Sequence, residues 1–165
     1  MVALTAEKLR ELLSYDPDTG LFTWRKRTSN RVTAGSVAGH PCRRDGRLMI
    51  GIGGKVYLAH RLAWLHVHGT MPKEIDHVDG DPTNNRLNNL RECSHAQNQK
   101  NLKRAKHNTS GFKGVHYHRG AGKWRARIQS DGKTKSLGLH QTPEAAHAAY
   151  CGAALELHGD FARFQ

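Results

Sequence analysis

The sequence predicts an α+β protein with two domains, and three observations lead to this fold class. Short β-like segments separated by glycine turns occur in both halves of the chain. Each half also carries helix-like segments with capping residues. Between the halves, the basic stretch of residues 99–107 is followed by the break NTSG, which indicates a helix running out into a linker. The predicted domains are residues 1–106 and residues 107–165.

The composition favours a nucleic-acid partner. The 165 residues include 26 Lys and Arg against 14 Asp and Glu, a formal net charge of +12, and cations gain affinity by releasing counterions from phosphates. Two alternatives are a basic protein that is merely soluble and a protein that binds an anionic membrane surface. No segment, however, has the sustained apolar face of a membrane helix. The first twenty residues lack the apolar centre of a secretory signal and are interpreted as a folded helix. Three widely spaced cysteines indicate neither a disulfide framework nor a cysteine-rich zinc site.

The first domain is predicted to have two scaffold helices and several short strands. One helix begins after the N-cap Thr5 and is ended by the turn DPDTG, and its apolar face comprises Leu9, Leu12 and Leu13. A second helix is expected from about Leu58 to His68, with Leu58, Leu62 and Leu65 on its core side.

The second domain is predicted to be a small three-stranded antiparallel sheet packed on one helix. The turns RGAGK and SDGK separate three β-like segments. The alanine-rich segment that follows has Thr142 as N-cap and Pro143 at its first helical position.

A hairpin followed by a capped helix is predicted in the last part of the first domain. Glu74 to Asp79 is expected to form a strand, and Arg91 to Cys93 its partner. Ser94 and Gln97 then form a capping box, which fixes the start of the helix and places Asn98 just over one turn in. We therefore expect Asn98 to point back across the hairpin at Asp76.

Asp76 and Asn98 offer oxygen ligands to a hard cation. We expect Mg²⁺, with Mn²⁺ able to substitute, and no zinc, because neither a thiolate nor a second nearby imidazole completes a zinc set. His77 follows Asp76 on the strand, so both side chains face one phosphate only if the strand twists or bulges. If they do converge, an ordinary imidazole pKa near ~6.5 suits a general base that activates water.

The alternative is that these polar residues only make turns, with His77 an exposed strand residue. For Asn84, Asn85 and Asn88 we prefer that interpretation. For the set of Asp76, His77 and Asn98 we prefer the functional one, because a glycine turn, an Asn-Leu pair and a capped helix accompany them at fixed spacing.

The stretch DHVDGDPTNNRLNNLRECSHAQNQKN resembles the HNH motif of the His-Me finger superfamily, in the form common among phage-borne homing endonucleases. The resemblance extends upstream and spans most of residues 10–105. It implies a ββα-metal nuclease domain, a hairpin and a helix around one divalent metal, together with the strand distortion that brings Asp76 and His77 together. It further implies these roles: Asp76 as the first metal ligand, His77 as the general base, Asn89 as the brace of the loop, and Asn98 as the second metal ligand.

This resemblance implies hydrolysis of a phosphodiester, with His77 deprotonating a water and the metal stabilising the departing 3′ oxygen. Arginines near the motif are candidate phosphate-binding groups, although each is equally well explained as a surface charge. They are Arg61, Arg86 and Arg91. Among the nearby histidines, His60 is a weak further candidate.

Residue alternation predicts one cationic face on the C-terminal sheet. In KWRARIQ the side chains of Trp124, Ala126 and Ile128 are expected to face the helix, as are Val115 and Tyr117 on the first strand. The candidate nucleic-acid contacts are Lys113, His116, His118, Arg119, Arg125, Arg127, Gln129, Lys133 and Lys135. An ordinary solvated sheet face is the alternative.

Residues 109–164 resemble the plant ethylene-response-factor (apetala-type) DNA-binding domain through GFKGVHYH, GKWRARI, KSLGLHQTPEAAHAAYCGAALELHG and FARF. The resemblance implies that the sheet enters the major groove and the helix packs behind it. Ser136 and other positions depart from the family's arginines, so plant sequence preference is not expected.

We therefore predict a metal-dependent endonuclease of the homing type that acts on double-stranded DNA, by nicking or by cutting both strands. The expected protein is a monomer or homodimer with no obligate protein partner and no membrane association, in the cytoplasm of the bacterial host of a phage or prophage. A non-catalytic DNA-binding regulator and an RNA-binding or RNA-cleaving protein are the alternatives. The regulator is disfavoured by the complete set of motif residues, and the RNA function by the lack of paired exposed aromatic residues.

Overall fold

The structure, a computed structural model, describes residues 4–100, 108–130 and 132–164. It divides into two compact units, Met1–Cys93 and Ser94–Gln165. The predicted domain boundary after residue 106 lies outside the described residues, as does the expected linker, and it stays a prediction.

The first unit is α+β, as expected. Its elements in chain order are α1 Ala6–Leu12, β1 Leu13–Tyr15, β2 Phe22–Trp24, β3 His40–Pro41, β4 Leu48–Ile52, β5 Lys55–Leu58, α2 Ala59–His68, β6 Glu74–His77 and β7 Leu90–Cys93. All pairings are antiparallel, and they form three small sheets: β1-β2, β3-β4-β5 and β6-β7.

The N-terminal helix begins where predicted and ends earlier. Thr5 caps α1, its hydroxyl accepting a hydrogen bond from the Lys8 amide at 3.2 Å. The sequence predicts that the helix runs to the turn DPDTG, but Leu13 is already extended and pairs with Trp24 in β1-β2. The turn therefore joins two strands. Pairing satisfies the backbone groups of this segment in a ladder and still buries Leu13 completely.

The second helix, α2, matches its prediction and carries the core of this unit. Gly69 ends it in the left-handed conformation at φ 73°, and its amide donates to the Leu65 carbonyl. Leu62 and Leu65 are buried against residues of α1, β2 and β4, and Leu58 is half-buried. This core fixes α2 as the support on which the hairpin β6-β7 rests through Ile75 and Leu90.

The second unit contains the predicted sheet and helix. Its elements are α3 His95–Lys100, β8 Val115–His118, β9 Lys123–Ser130, β10 Lys133–His140 and α4 Pro143–His158. The antiparallel sheet has the order β10-β9-β8, and α4 packs on one face of it. Its core joins Val115, Ala126 and Ile128 of the sheet to Ala146, Tyr150 and Ala154 of the helix.

The capping residues of α4 are those expected. Thr142 accepts a hydrogen bond from the Ala145 amide at 3.1 Å, and Pro143 occupies the first turn. Within the described residues, no helix has the length and apolar character needed to cross a bilayer.

Candidate active site and nucleic-acid interface

The hairpin β6-β7 buries a charged pair. The Asp76 carboxylate is 6% exposed, and its Oδ2 accepts hydrogen bonds from Arg91 Nη2 at 2.7 Å and Arg91 Nε at 3.0 Å. The two residues lie directly opposite each other in the ladder. A buried carboxylate needs such a partner, because desolvation of an uncompensated charge is costly.

His77 is buried beside this pair, at 8% exposure, rather than exposed on the strand. Its Nε2 lies 3.4 Å from Asn85 Oδ1, and its ring lies 5.0 Å from the ring of His60, centroid to centroid, at an angle of 76°. Burial lowers the pKa of His77, and the contact with Asn85 opposes that shift. The lowered pKa keeps the imidazole neutral near pH 7, the form in which it accepts a proton.

His60 comes from the first turn of α2 and is 6% exposed. Burial, and then the neighbouring His77, lower the pKa of His60 to about 3. His60 is therefore neutral throughout the range in which nucleases work, and it presents an uncharged ring to His77.

The loop after β6 is held by Asn89, which is itself buried. Asn89 Nδ2 donates to Asp79 Oδ1 at 3.0 Å and to the Asn84 carbonyl at 2.8 Å, and its Oδ1 accepts from the Asp79 amide at 3.0 Å. Burial would raise the pKa of Asp79, but hydrogen bonds from the Asp81 amide, Asn84 and Asn89 bring it below its usual value. These contacts give Asn89 the geometry of a brace, and its catalytic role stays a prediction.

The strand carrying Asp76 and His77 is regular. Register runs without a shift from Glu74 opposite Cys93 to His77 opposite Leu90, so no bulge lies between the two functional side chains in these described strands. The register excludes a bulge in these strands, and the other expected distortion, a twist that turns both side chains toward one phosphate, stays a prediction. Both side chains are buried all the same, so both faces of this short hairpin are covered.

Asn98 lies on α3 in the second unit, one turn beyond the cap. The predicted capping box is present: the Ser94 amide donates to Gln97 Oε1 at 2.8 Å, and the Gln97 amide donates to Ser94 Oγ at 3.3 Å. The role of Asn98 as a metal ligand stays a prediction. Among the described residues there is no group of three His, Cys, Asp or Glu side chains that could hold a metal ion.

Comparison with known proteins identifies the family. A family model described as HNH endonuclease matches residues 57–100. Protein 3.8 of Escherichia phage T7 is 37% identical over 108 residues, which cover 64% of this chain and 88% of that protein. The chain belongs to the HNH endonuclease family. The matched region contains the whole of α2, the hairpin and α3, so the buried Asp76 and His77 lie in the nuclease part of this endonuclease.

This endonuclease also resembles a solved structure of the HNH homing endonuclease I-HmuI, a protein that binds and cleaves DNA. That protein is 22% identical, covers 88% of this chain and 84% of its own, and superposes with a TM-score of 0.43. The family model ends at residue 100. The expected likeness of residues 109–164 to the ethylene-response-factor domain therefore stays a prediction.

Three arginines of the endonuclease, predicted as possible phosphate contacts, have partners within the first unit. Arg61 donates to the carbonyls of Pro72 and Lys73, Arg86 donates to the Asp18 carbonyl, and Arg91 binds Asp76. Each side chain thus holds the local fold of its segment. Arg61 and Arg86 bind carbonyls with only part of their guanidinium groups, and their contact with DNA stays a prediction.

The sheet of the second unit brings some of the predicted DNA contacts to one face. Cross-strand pairs place His116 opposite Arg125, with Arg127 and Gln129 further along the same side of β9. A cleft of about 610 Å³ gathers part of this set within the unit, lined among others by Lys100, Lys113, His116, Arg127 and Gln129. His118 pairs with Lys123 on the same side of the sheet, and the exposed Arg119 follows the strand.

Lys133 and Lys135 are not part of that face. They pair with Ser130 and Ile128, so their side chains leave the sheet on the side that α4 covers, although both are exposed on the edge strand. Lys113 also differs from a freely exposed contact: it is half-buried and donates to the Lys100 carbonyl at 3.2 Å. Burial, and then Arg163, lower the pKa of Lys113 to about 8.

Tyr117 was expected to point inward, but it is 53% exposed. Its ring meets that of Trp124 edge to face at a centroid distance of 5.1 Å. Trp124 is half-buried, so Tyr117 is the exposed member of this pair. Because the rings meet edge to face, the pair does not offer two parallel faces for stacking bases.

Sequence reasoning missed Asn85, which it assigned to a turn. Asn85 is 2% exposed and contacts His77. The only signal in the sequence was its place in a run of asparagines, which cannot distinguish a turn residue from one whose amide reaches the site.

Proposed function

We propose that this endonuclease hydrolyses phosphodiester bonds of double-stranded DNA in a metal-dependent reaction, with His77 as the general base. The observation that supports this proposal most directly is the burial of both Asp76 and the neutral His77, which follow one another on β6 in the part of the chain that matches the nuclease family. A buried carboxylate and an uncharged imidazole on one short strand suit hydrolysis better than passive binding.

In the proposed reaction, His77 takes a proton from a water molecule while the water oxygen bonds to phosphorus. The bond from phosphorus to the 3′ oxygen breaks, and the departing oxygen takes a proton from solvent. The products carry a 5′-phosphate and a 3′-hydroxyl.

The donor chemistry fits a hard divalent cation. Asp76 offers carboxylate oxygens and Asn98 an amide oxygen, and Mg²⁺ is commonly held by one or two protein oxygens with water completing its shell. Asp76 and Asn98 would hold Mg²⁺, or Mn²⁺ in its place, and the ion would supply positive charge against the charge that develops on the phosphate. In the structure Arg91 holds Asp76 Oδ2, so a metal at this carboxylate competes with a guanidinium.

The second unit is proposed to bind the DNA. Its support is the set of cationic and polar side chains on one sheet face, formed by His116, Arg125, Arg127 and Gln129. Phosphate contacts from such a face supply sequence-independent affinity, and side chains that reach base edges supply site preference. The homing role and a site-specific target belong to the same proposal.

The test uses supercoiled plasmid with the full-length protein, Mg²⁺ and an EDTA control. We expect nicked or linear product with Mg²⁺ and none with EDTA. His77→Ala is expected to lower the cleavage rate by about 10²–10⁴-fold while DNA binding in a gel-shift assay stays unchanged. Plasmid that stays supercoiled with every divalent ion, despite tight binding, would instead support the non-catalytic regulator.

A further inference from the structure

Asn85 is fixed in place from two directions. Its backbone carbonyl accepts a hydrogen bond from the Tyr15 hydroxyl at 2.7 Å. The turn after β1 packs on the same segment so closely that a Cβ on Gly20 would lie 2.5 Å from the Asn85 carbonyl carbon. Gly20, at φ +75°, is therefore required for this approach. The side chain of Asn85 starts from a rigid backbone and is itself 2% exposed.

The contacts of the Asn85 amide determine which way it points. Its Nδ2 donates to the Thr83 carbonyl at 3.1 Å. If the amide were flipped, Asn85 Oδ1 would lie against the Thr83 carbonyl oxygen, and both atoms are acceptors. Oδ1 is therefore the atom directed at His77 Nε2, 3.4 Å away.

This orientation selects the tautomer of His77. An amide oxygen only accepts hydrogen bonds, so Nε2 must carry the proton for the contact to be favourable. In a neutral imidazole with a proton on Nε2, the lone pair lies on Nδ1.

His60 limits the rotation of the same ring. Its imidazole meets that of His77 edge to face at a centroid distance of 5.0 Å, and both rings are buried. Rotation of the His77 ring by ~180° about χ2 would put a carbon atom, instead of Nε2, next to Asn85 Oδ1. It would also disturb the packing against His60.

We propose that Asn85 is a positioning residue that holds His77 in the tautomer protonated on Nε2, so that Nδ1 is the nitrogen that takes the proton from water. The inference rests on the proposed role of His77 as the general base. It adds a residue that does not touch the substrate but sets which nitrogen of the base reacts, as the third member of a catalytic triad does.

The first test is spectroscopic and reads the tautomer in the wild-type protein, with His77→Ala used only to assign the signals. In full-length protein with labelled histidine, the ¹³Cδ2 and ¹⁵N shifts of an imidazole distinguish the two neutral tautomers, and the His77 signals are those missing from the His77→Ala spectrum. At about pH 8, above the imidazole pKa, we expect the proton of His77 on Nε2. A proton on Nδ1 would overturn the proposal.

The second test separates the two contacts of Asn85. Asn85→Asp keeps an acceptor for His77 and loses the donor to Thr83, whereas Asn85→Ala loses both. If Asn85 acts through His77, Asn85→Ala lowers kcat by about 10–100-fold with KM for DNA unchanged, and Asn85→Asp keeps most of kcat. An equal loss in both variants would mean that Asn85 only holds the loop, and the proposal would be wrong.

Asn88→Ala is the matched control, since Asn88 is an exposed asparagine in the same segment and is expected to keep wild-type kcat. His77→Ala in the same series separates the role of His77 from the role of Asn85. Full activity in His77→Ala would remove the general base and with it the proposed function. A loss in His77→Ala together with wild-type kcat in Asn85→Ala would remove the role of Asn85 alone.

Discussion

At the scale of single residues, the site depends on charged groups and rings that are largely removed from water. Asp76 and Arg91 have side chains only 7% and 18% exposed, and they are joined at 2.7 Å. Truncating one member of such a pair costs more than the pair contributes, because the remaining charge is left desolvated.

The Arg91 variant provides a test of this pair. Arg91→Met keeps most of the aliphatic stem, and we expect it to lower the free energy of unfolding by about 3 kcal/mol. The double variant Asp76→Asn, Arg91→Met should recover part of that loss, because the buried carboxylate is then also removed. Urea denaturation measures both effects.

The same variant reports on metal binding without an activity assay. If Asp76 is a ligand, Mg²⁺ should stabilise Arg91→Met more than the wild type, because the competing guanidinium is gone. Equal Mg²⁺ effects on the two proteins would argue against Asp76 as a ligand.

His60 predicts how the first unit responds to acid. Its pKa of about 3 lies below the ordinary value of 6.5, so between these values the unfolded chain binds a proton that the folded protein excludes. The free energy of unfolding therefore decreases as the pH falls through this window. His60→Phe keeps a ring against His77 and cannot be protonated, so we expect a weaker pH dependence between about pH 7 and pH 4.

The exposed His40 supplies the control, since His40→Phe should leave that pH dependence as in the wild type. Thermal unfolding at several pH values measures it. Burial also lowers the pKa values of His77 and His66, so both variants keep part of the pH dependence of the free energy of unfolding. A His60→Phe curve parallel to the wild type would show that His60 is not the group that titrates.

At the scale of secondary-structure elements, the second unit depends on close contact between its sheet and its helix. Gly114 precedes β8 at φ +74°, and its carbonyl accepts from the Arg127 amide at 2.9 Å. A Cβ at this position would collide with the ring of Tyr150 and would lie 2.8 Å from the Arg127 carbonyl oxygen.

We therefore expect Gly114→Ala to destabilise the second unit. Gly111→Ala is a matched control, because Gly111 also has a positive φ, +79°, but no atom within 4 Å of the added Cβ. Both variants strain the backbone, and only Gly114→Ala also overpacks the contact, at an additional cost of about 1–3 kcal/mol. Because Trp24 and Trp64 lie in the first unit, the backbone amide signals of Val115 and Ala126 during urea unfolding, rather than tryptophan fluorescence, follow this unit. Equal destabilisation of the two variants would mean that Tyr150 moves aside without cost.

At the scale of the whole molecule, the proposal places the cutting and the holding of DNA in different parts of the chain. The core, the hairpin and the pair of Asp76 and His77 belong to the first unit, whereas the cationic sheet face belongs to the second. Removing the sheet removes Lys113, Arg125 and Arg127, so both affinity and its dependence on salt should decrease.

Fragments of the chain test this division. Residues 1–106 are expected to nick plasmid slowly at low salt and high protein concentration, with reduced site preference, and residues 107–165 to bind DNA without cutting it. A fragment of residues 1–93 retains the first unit but lacks Asn98, and we expect it not to nick plasmid at Mg²⁺ concentrations that support nicking by residues 1–106. A folded fragment 1–106 that never nicks with Mg²⁺ or Mn²⁺ would contradict the assignment.

Local elements and family membership can be read from the amino-acid sequence alone. Caps at Thr5, Ser94 and Thr142 were predicted and are present, because a capping side chain acts on amides only two or three residues away. The sheet-plus-helix arrangement of the second unit was predicted from residue alternation along the strands. Alternation, like capping, involves only residues that are close in sequence. Membership of the nuclease family likewise followed from the spacing of a few residues in one continuous stretch.

Only the tertiary structure decided which polar groups meet inside the first unit. Asn85, His60 and Arg91 reach Asp76 or His77 from a loop, a helix and a facing strand, and no local pattern encodes these contacts. The early end of α1 was likewise decided by pairing with β2, which overrides helix propensity. The physical reason is burial: a polar side chain removed from water must find a partner wherever the packed chain supplies one, whether or not that partner is near in sequence.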